Sequence, residues 1–274
     1  MNGLEAVILG LVEGFTEFLP VSSTGHLVLA QRALGMPGNE ANDTFAVVIQ
    51  GGAILAVLGL YWNRFRTMIR GLLGRDPEGI RLFRNLVLAF LPAVPAGLWA
   101  SFVKEHLFRL DVVAAAWAAG GLLLLWLHHR RGRMPPDQGR TVETLTWQGA
   151  LLIGLCQTAS IFWPGISRSL MALVGGLLAG LSLLAAVEFS FLLGFVTLLA
   201  AVGYSVLQVG TAMVRDLGTF HVFVAFLVAA LSAAVSVRFL VGTLSRFGLG
   251  PFGWYRLALA VATGVLLWNG LLAP

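Results

Sequence analysis

Charge is scarce in this sequence. Asp, Glu, Lys and Arg make up 11% of its 274 residues, where soluble globular domains carry about 25%. That excludes an ordinary soluble fold and points to an integral membrane bundle. Lysine is nearly missing as well: 17 of the 18 basic residues are arginine, and Lys104 is the exception. The single cysteine, Cys156, rules out an internal disulfide, so a buried, inert thiol is expected. No charged leader precedes the first apolar run, and Glu5 interrupts that run, which argues against a cleaved signal peptide. The length suits one membrane domain over residues 1–274 better than two.

What is present is hydrophobic. A spanning helix needs about 20 mostly apolar residues, and six segments meet or approach that: 43–62, 85–102, 111–128, 184–210, 219–240 and 252–272. Trp62, Trp99, Trp126 and Trp254 fall near span ends, as in an aromatic belt. Regions 1–36 and 146–181 differ, each being two short apolar runs joined by a break with Pro, Ser and Gly. Such half-length runs predict re-entrant hairpins, whose irregular tips are tolerated only inside protein or beside a cavity. A shift of 144 residues lays Leu9-Gly10-Leu11 on Ile153-Gly154-Leu155, Pro20 on Pro164 and Ser23 on Ser167, without gaps over about 45 positions. Each half, about 1–130 and 145–274, then holds one hairpin and three spans. An odd number of spans inverts the second half, so the expected fold is all-α, six transmembrane helices plus two re-entrant helical hairpins in an inverted-topology repeat.

Arginine placement agrees. Link 63–84 carries Arg64, Arg66, Arg70, Arg75, Arg81 and Arg84, and link 128–146 carries Arg130, Arg131, Arg133 and Arg140. The positive-inside rule makes both cytoplasmic, with Arg246 in a third link on that side. The opposite links hold Lys104, Arg109 and Arg215, offset by Glu105, Asp111 and Asp216. The first hairpin therefore enters from outside, the second from the cytoplasm, and their tips can meet. Nucleic acid is not an expected partner of these arginines.

Polar residues concentrate in EGFTEFLPVSSTGHL, Glu13 to Leu27. Ionisable groups at membrane depth are costly and mark function by default. Glu13 and Glu17 are four apart and share a helical face; paired carboxylates suit a hard cation such as Mg²⁺ or Ca²⁺. Ser22-Ser23-Thr24-Gly25 looks like an N-cap opening the next helix, and a helix N-terminus receives phosphate readily. His26 could transfer a proton near neutral pH. The plainer reading, a wet interfacial face with ordinary capping serines, would serve for any one of these features but not for all within fourteen residues. The second break, PGISRS from Pro164 to Ser169, supplies Arg168, whose planar fork matches phosphate; a structural ion pair with Glu13 or Glu17 is the other reading, and the two can coexist. Carboxylates, hydroxyl, histidine and arginine together suggest phosphoryl transfer, where positioning and charge stabilisation dominate. Gln50, before Gly51-Gly52, either lines the cavity or bonds to a neighbouring helix, and Glu188 has the mark of an interfacial carboxylate.

These motifs, with DTFAVVIQGGAILAVL (Asp43 to Leu58) and EFSFLL (Glu188 to Leu193), resemble the undecaprenyl-diphosphatase family, the bacitracin-resistance type of membrane phosphatase, nearly end to end. The resemblance implies hydrolysis of undecaprenyl diphosphate to the monophosphate and phosphate, recycling the lipid carrier of cell-wall synthesis. It implies an active site open to the outer side of the cytoplasmic membrane, and a fold of six spans and two hairpins. Glu13 and Glu17 would be catalytic acids holding the divalent cation. Ser23 and His26 would be the candidates for nucleophile and proton-transfer partner, and the attacking group is left open among Ser23, His26 and a metal-bound water. Ser22, Thr24 and Gly25 would hold the diphosphate, with Gln50, while Arg168 between Ser167 and Ser169 would clamp it. Expected partners are the polyprenyl diphosphate and membrane lipids, with a homodimer as the candidate assembly. The second half departs from the family, with Leu170-Met171-Ala172 where Gly-Ala-Thr is usual, so Leu170 could crowd the approach to Arg168 and Ala172 cannot donate to a phosphate, while the first-half site is complete and still favours an active phosphatase. The stretch from Gln157 to Pro164 looks one residue longer than usual, and Val196 stands near the place of an expected proline. A transporter or flippase of a phosphorylated polyprenyl lipid is the alternative, since its architecture would be the same.

Overall fold

The computed structural model describes residues 1–36, 39–132 and 134–272. Arg133 lies outside the described residues, as does the Lys104 side chain. Among the described residues the chain is all helical. Two short helices, α1 (Gly3–Thr16) and α2 (Ser23–Ala33), precede α3 (Glu40–Val48) and α4 (Gln50–Leu60). Then come α5 (Trp62–Leu72), α6 (Pro77–Phe90), α7 (Ala93–Gly97), α8 (Ala100–Leu107) and α9 (Leu110–Arg131). The second half runs α10 (Trp147–Phe162), α11 (Arg168–Leu178), α12 (Leu183–Leu217), α13 (Thr219–Phe247) and α14 (Gly250–Trp268).

Six helical stretches are long and apolar enough to cross a membrane: Ala41–Leu60, Pro77–Gly97, Leu110–Arg131, Leu183–Leu217, Thr219–Phe247 and Gly250–Trp268. They match the six expected spans. The second begins earlier than its hydrophobicity suggests, because a cap rather than apolarity starts it: Asp76 accepts from the N–H of Glu78 and of Gly79, with Pro77 opening the helix. Trp62, Trp99, Trp126 and Trp254 are all exposed on the bundle surface, as an aromatic belt requires.

Both short helix pairs are built into the bundle through close backbone approach. A Cβ at Gly10 would strike the Ala225 carbonyl, and one at Gly14 would strike Ser232 and the Ala229 carbonyl. This small-residue seam lets α1 lie against α13, where packing rather than water exclusion drives helix association. Ser236 Oγ closes it by donating to the Phe15 carbonyl at 2.7 Å. In the second pair α10 lies on α6 in the same manner, Gly154 against the Ala89 backbone, with Gln157 Nε2 donating to the Ala89 carbonyl at 3.0 Å. Each pair thus leans on a spanning helix from the other half.

The arginine-rich links meet one another. Arg64 bonds to both Glu143 and Glu188 at 2.5 Å, Arg81 donates to the Glu143 carbonyl, and Asn85 to the Leu145 carbonyl at 2.8 Å. Glu188 is therefore half of an ion pair with the first arginine-rich link.

Candidate active site

The two breaks come together inside the bundle. The first, residues 17–22, separates α1 from α2; the second, residues 163–167, separates α10 from α11. A broken helix leaves backbone groups without partners, and within apolar surroundings they must be satisfied by protein. Here four consecutive carbonyls of the first break each accept from a different side chain. Ser169 Oγ donates to Leu19 at 2.9 Å, Arg256 to Pro20 at 3.1 Å, Trp117 Nε1 to Val21 at 3.0 Å, and His26 Nδ1 to Ser22 at 2.7 Å. A carbonyl only accepts, so His26 carries its proton on Nδ1, and Nε2, 2.8 Å from the Tyr255 hydroxyl, accepts when the ring is neutral.

Both breaks end in a strained serine. Ser22 (φ 73°) and Ser167 (φ 84°) are the only non-glycine residues with positive φ among those described. Such backbone costs on the order of 1–3 kcal/mol and persists where surrounding structure imposes it, commonly at working sites. Each serine caps the following helix, Ser22 accepting from the Gly25 N–H and Ser167 from the Leu170 N–H. The two caps differ by one residue from the gapless shift, which lays Ser167 on Ser23 rather than on the cap Ser22. The second break has two residues between its proline and its cap, where the first has one, and Gly165 (φ 91°) takes up the difference. Ser23 and Arg168 thus occupy the same place, the first residue after a strained cap.

A cavity of about 780 Å³ opens at these caps, within the range typical of small-molecule sites. Glu17, Ser22, Ser23, Thr24, Ser167, Arg168 and Gln50 all line it. Ser23 Oγ donates to Glu17 Oε2 at 2.5 Å, and Arg168 Nη2 donates to Glu17 Oε1 at 2.8 Å. One carboxylate therefore joins a hydroxyl from the first break to a guanidinium from the second. Arg168 also reaches the Ser190 carbonyl at 3.4 Å, while its Nε is buried without a partner.

Other expected site residues lie behind this wall. Glu13 is completely buried one helical turn before Glu17, beside that carboxylate, and neither of its own oxygens meets a donor from any other residue. Gly25 packs against Trp117 with no room for a Cβ. Ser169 holds the breaks together through Leu19 and Ser167. His26 turns away from the cavity, edge-on to Trp117 and stacked on Tyr255. Leu170 is fully buried in the hydrophobic core, and Ala172 lies beside it; neither lines the cavity, so Leu170 does not crowd Arg168.

An orphaned buried carboxylate carries a high desolvation cost, so the Glu13–Glu17 pair fits a cation. No group of three or more His, Cys, Asp or Glu is gathered for a metal among the described residues. A cation held by this pair would draw its other oxygens from substrate or water, the habit of Mg²⁺.

Arg256 and Trp117 were not singled out by sequence. Arg256 could have been, since an arginine within an apolar span breaks the same rule that exposed Arg168. Trp117, in mid-span rather than at a span end, is fully buried; its departure from the belt was the available signal. Gln31, Arg32 and Asp43 also line the cavity.

Comparison with known proteins is consistent across the chain. The family model described as bacitracin resistance protein BacA matches residues 6–262. An undecaprenyl-diphosphatase of Sorangium cellulosum is 46% identical over 274 residues, 98% of this chain and 86% of that protein. Undecaprenyl-diphosphatase 2 of Rhodospirillum rubrum is 44% identical over 271 residues, 98% and 97% of the two chains. An undecaprenyl-diphosphatase of Methylococcus capsulatus is 40% identical, covering 97% of this chain and 98% of its own.

Proposed function

This chain belongs to the bacitracin resistance protein BacA family, and from that footing we propose that it hydrolyses undecaprenyl diphosphate to the monophosphate and inorganic phosphate. It is a membrane phosphatase, and the reaction returns the lipid carrier to cell-wall synthesis. The observation that carries the reading is the Ser23–Glu17–Arg168 contact at the cavity wall. The flippase alternative finds no support in the relatives, whose names are those of a hydrolase.

Ser23 Oγ is the attacking group in this scheme. Glu17 accepts its proton as the oxygen bonds to the terminal phosphorus, and the bond from that phosphorus to the bridging oxygen breaks. The bridging oxygen leaves with the lipid as monophosphate and takes the proton from Glu17. Water, deprotonated by Glu17, then cleaves the phosphoserine, releasing phosphate and restoring the Ser23 hydroxyl. Arg168 and the α2 N-terminus, with Ser22 and Thr24, balance the phosphoryl charge. Glu13 and Glu17 would hold a divalent cation, which when bound would supply further neutralisation of the diphosphate. His26 supports the break through the Ser22 carbonyl.

The two halves form an inverted repeat of re-entrant hairpins. Support comes from the paired strained caps, from Gly10 and Gly154 each facing a span of the other half, and from the meeting of the arginine links. Those links belong on the cytoplasmic side. The cavity lining includes Asp43, Val103 and Phe108, from the opposite ends of the spans, so the site opens to the outer side of the cytoplasmic membrane.

The test uses purified protein in detergent and in liposomes. Phosphate release from undecaprenyl diphosphate supports the reading. Lipid crossing the liposome bilayer with no phosphate released would replace it with the transporter.

A further inference from the structure

We propose that Arg256 is a positioning residue for this hydrolysis, one side chain that fixes the spacing between Ser23 on the first break and Arg168 on the second. The proposal rests on the phosphatase reading above. Arg256 belongs to α14, which contributes nothing to the cavity lining. Its side chain is fully enclosed, and among the described residues it has no ion-pair partner. Instead the guanidinium donates to four backbone carbonyls. Nη1 reaches Pro20 at 3.1 Å, Nη2 reaches Gly165 at 3.0 Å and Ala116 at 2.8 Å, and Nε reaches Trp117 at 3.3 Å.

The choice of carbonyls gives the arrangement its meaning. Ala116 and Trp117 lie within intact α9, so they anchor the guanidinium to a spanning helix. Pro20 and Gly165 lie in the two breaks, and each stands two residues before its strained cap, Ser22 or Ser167. Arg256 therefore holds equivalent points of both breaks in one plane. The reacting hydroxyl and the phosphate clamp each follow a cap directly, so the geometry of Pro20 and Gly165 passes to Ser23 and Arg168 through three residues of backbone. A flexible ammonium cannot reproduce such a fork, and a misplacement of about 1 Å can cost about a hundredfold in rate. Gly120 makes room for the device, since a Cβ there would press on the guanidinium.

The experiment compares wild type with Arg256→Lys, which keeps the charge and loses the fork. Phosphate release from undecaprenyl diphosphate is expected to fall at least about tenfold in kcat with KM changed less than about threefold. In an Arg168→Lys background the same change should cost less than about threefold more, because the clamp it aligns is already impaired. A separate reading does not depend on activity. Spin labels at Phe15→Cys and Phe162→Cys, in a Cys156→Ala chain, should give one narrow distance, and Arg256→Lys should broaden or shift it. Should Arg256→Lys fail to fold, Gly120→Ala displaces the same guanidinium and takes the same measurements. Unchanged distances with unchanged kcat would overturn the proposal, as would an equal fold loss in both backgrounds. A folded wild type that releases no phosphate would instead remove the phosphatase reading, while the label distances would still decide on the clamp.

Discussion

Arg168 and Glu17 are 151 positions apart in the chain, yet Nη2 of one donates to Oε1 of the other at 2.8 Å. Their side chains are 15% and 6% exposed, so the contact is largely shielded although both residues line the cavity. The ion pair and the proposed phosphate clamp can coexist, as the sequence reading allows: the pair holds the guanidinium at the cavity wall. Arg168→Lys should therefore lower kcat/KM by on the order of a hundredfold even though the charge stays, because a point charge cannot bridge carboxylate and phosphate as a fork does. Steady-state phosphate release checks this, and a loss below about threefold would show that charge alone suffices.

Ser23 is assigned the attack on phosphorus. Ser23→Ala should reduce kcat by at least about a thousandfold with little change in substrate binding. A rapid quench with substrate labelled in the terminal phosphate should leave label on the wild-type chain and none on the Ser23→Ala chain. Turnover by Ser23→Ala at more than a tenth of the wild-type rate would hand the attack to water.

His26 faces Tyr255 and Trp117 rather than the cavity. His26→Asn, which retains an amide donor for the Ser22 carbonyl, should lose less than about tenfold, well short of a missing general base. Its pH–rate profile should keep the wild-type shape. A disappearance of one limb of that profile would mean that the ring itself carries the reaction's proton.

Glu13 is buried beside Glu17, and neither of its carboxylate oxygens meets a donor from any other residue. Glu13→Gln should raise the divalent cation concentration needed for half-maximal activity by about tenfold, the effect expected when one of two anionic oxygen donors is lost. Chelator treatment followed by Mg²⁺ or Ca²⁺ titration of wild type and variant gives the comparison. Identical titrations would detach Glu13 from cation binding.

By the family resemblance, Leu170 replaces a glycine and could crowd the approach to Arg168. It is instead fully buried in the core. Leu170→Gly should destabilise by about 2–5 kcal/mol, as other large-to-small core changes do, with no gain in kcat. Denaturant unfolding alongside phosphate release would reveal the opposite outcome, a faster enzyme of unchanged stability.

Much of this was legible because membrane depth makes polar residues conspicuous. Glu17, Ser23 and Arg168 stood out as polar groups between apolar half-helices, and they do converge. The six spans emerged from apolar run length, although α6 starts at a cap that hydrophobicity does not register. What sequence could not show was which way each residue of a helix turns. Ser23 and Thr24 face the cavity while Gly25 and His26, one and two places further on, face α9 and α14. The gapless shift misses the pairing of the two caps, Ser22 and Ser167, by one residue, and the positive φ of Gly165 in the longer break is an angle that composition does not reveal. The four donors to the carbonyls of Leu19 to Ser22 were hidden for a similar reason. They come from α2, α9, α11 and α14, and no local pattern links a carbonyl to a donor 236 residues away.

The central claim is that one phosphatase site is assembled from both breaks. Phosphate release from undecaprenyl diphosphate by purified wild type, Glu17→Gln and Arg168→Ala tests it most directly. Wild type should turn over, and each variant, still folded by thermal unfolding in detergent, should lose at least about a hundredfold in kcat/KM. A folded wild type that releases no phosphate, or an Arg168→Ala protein that matches it in rate, would contradict the account.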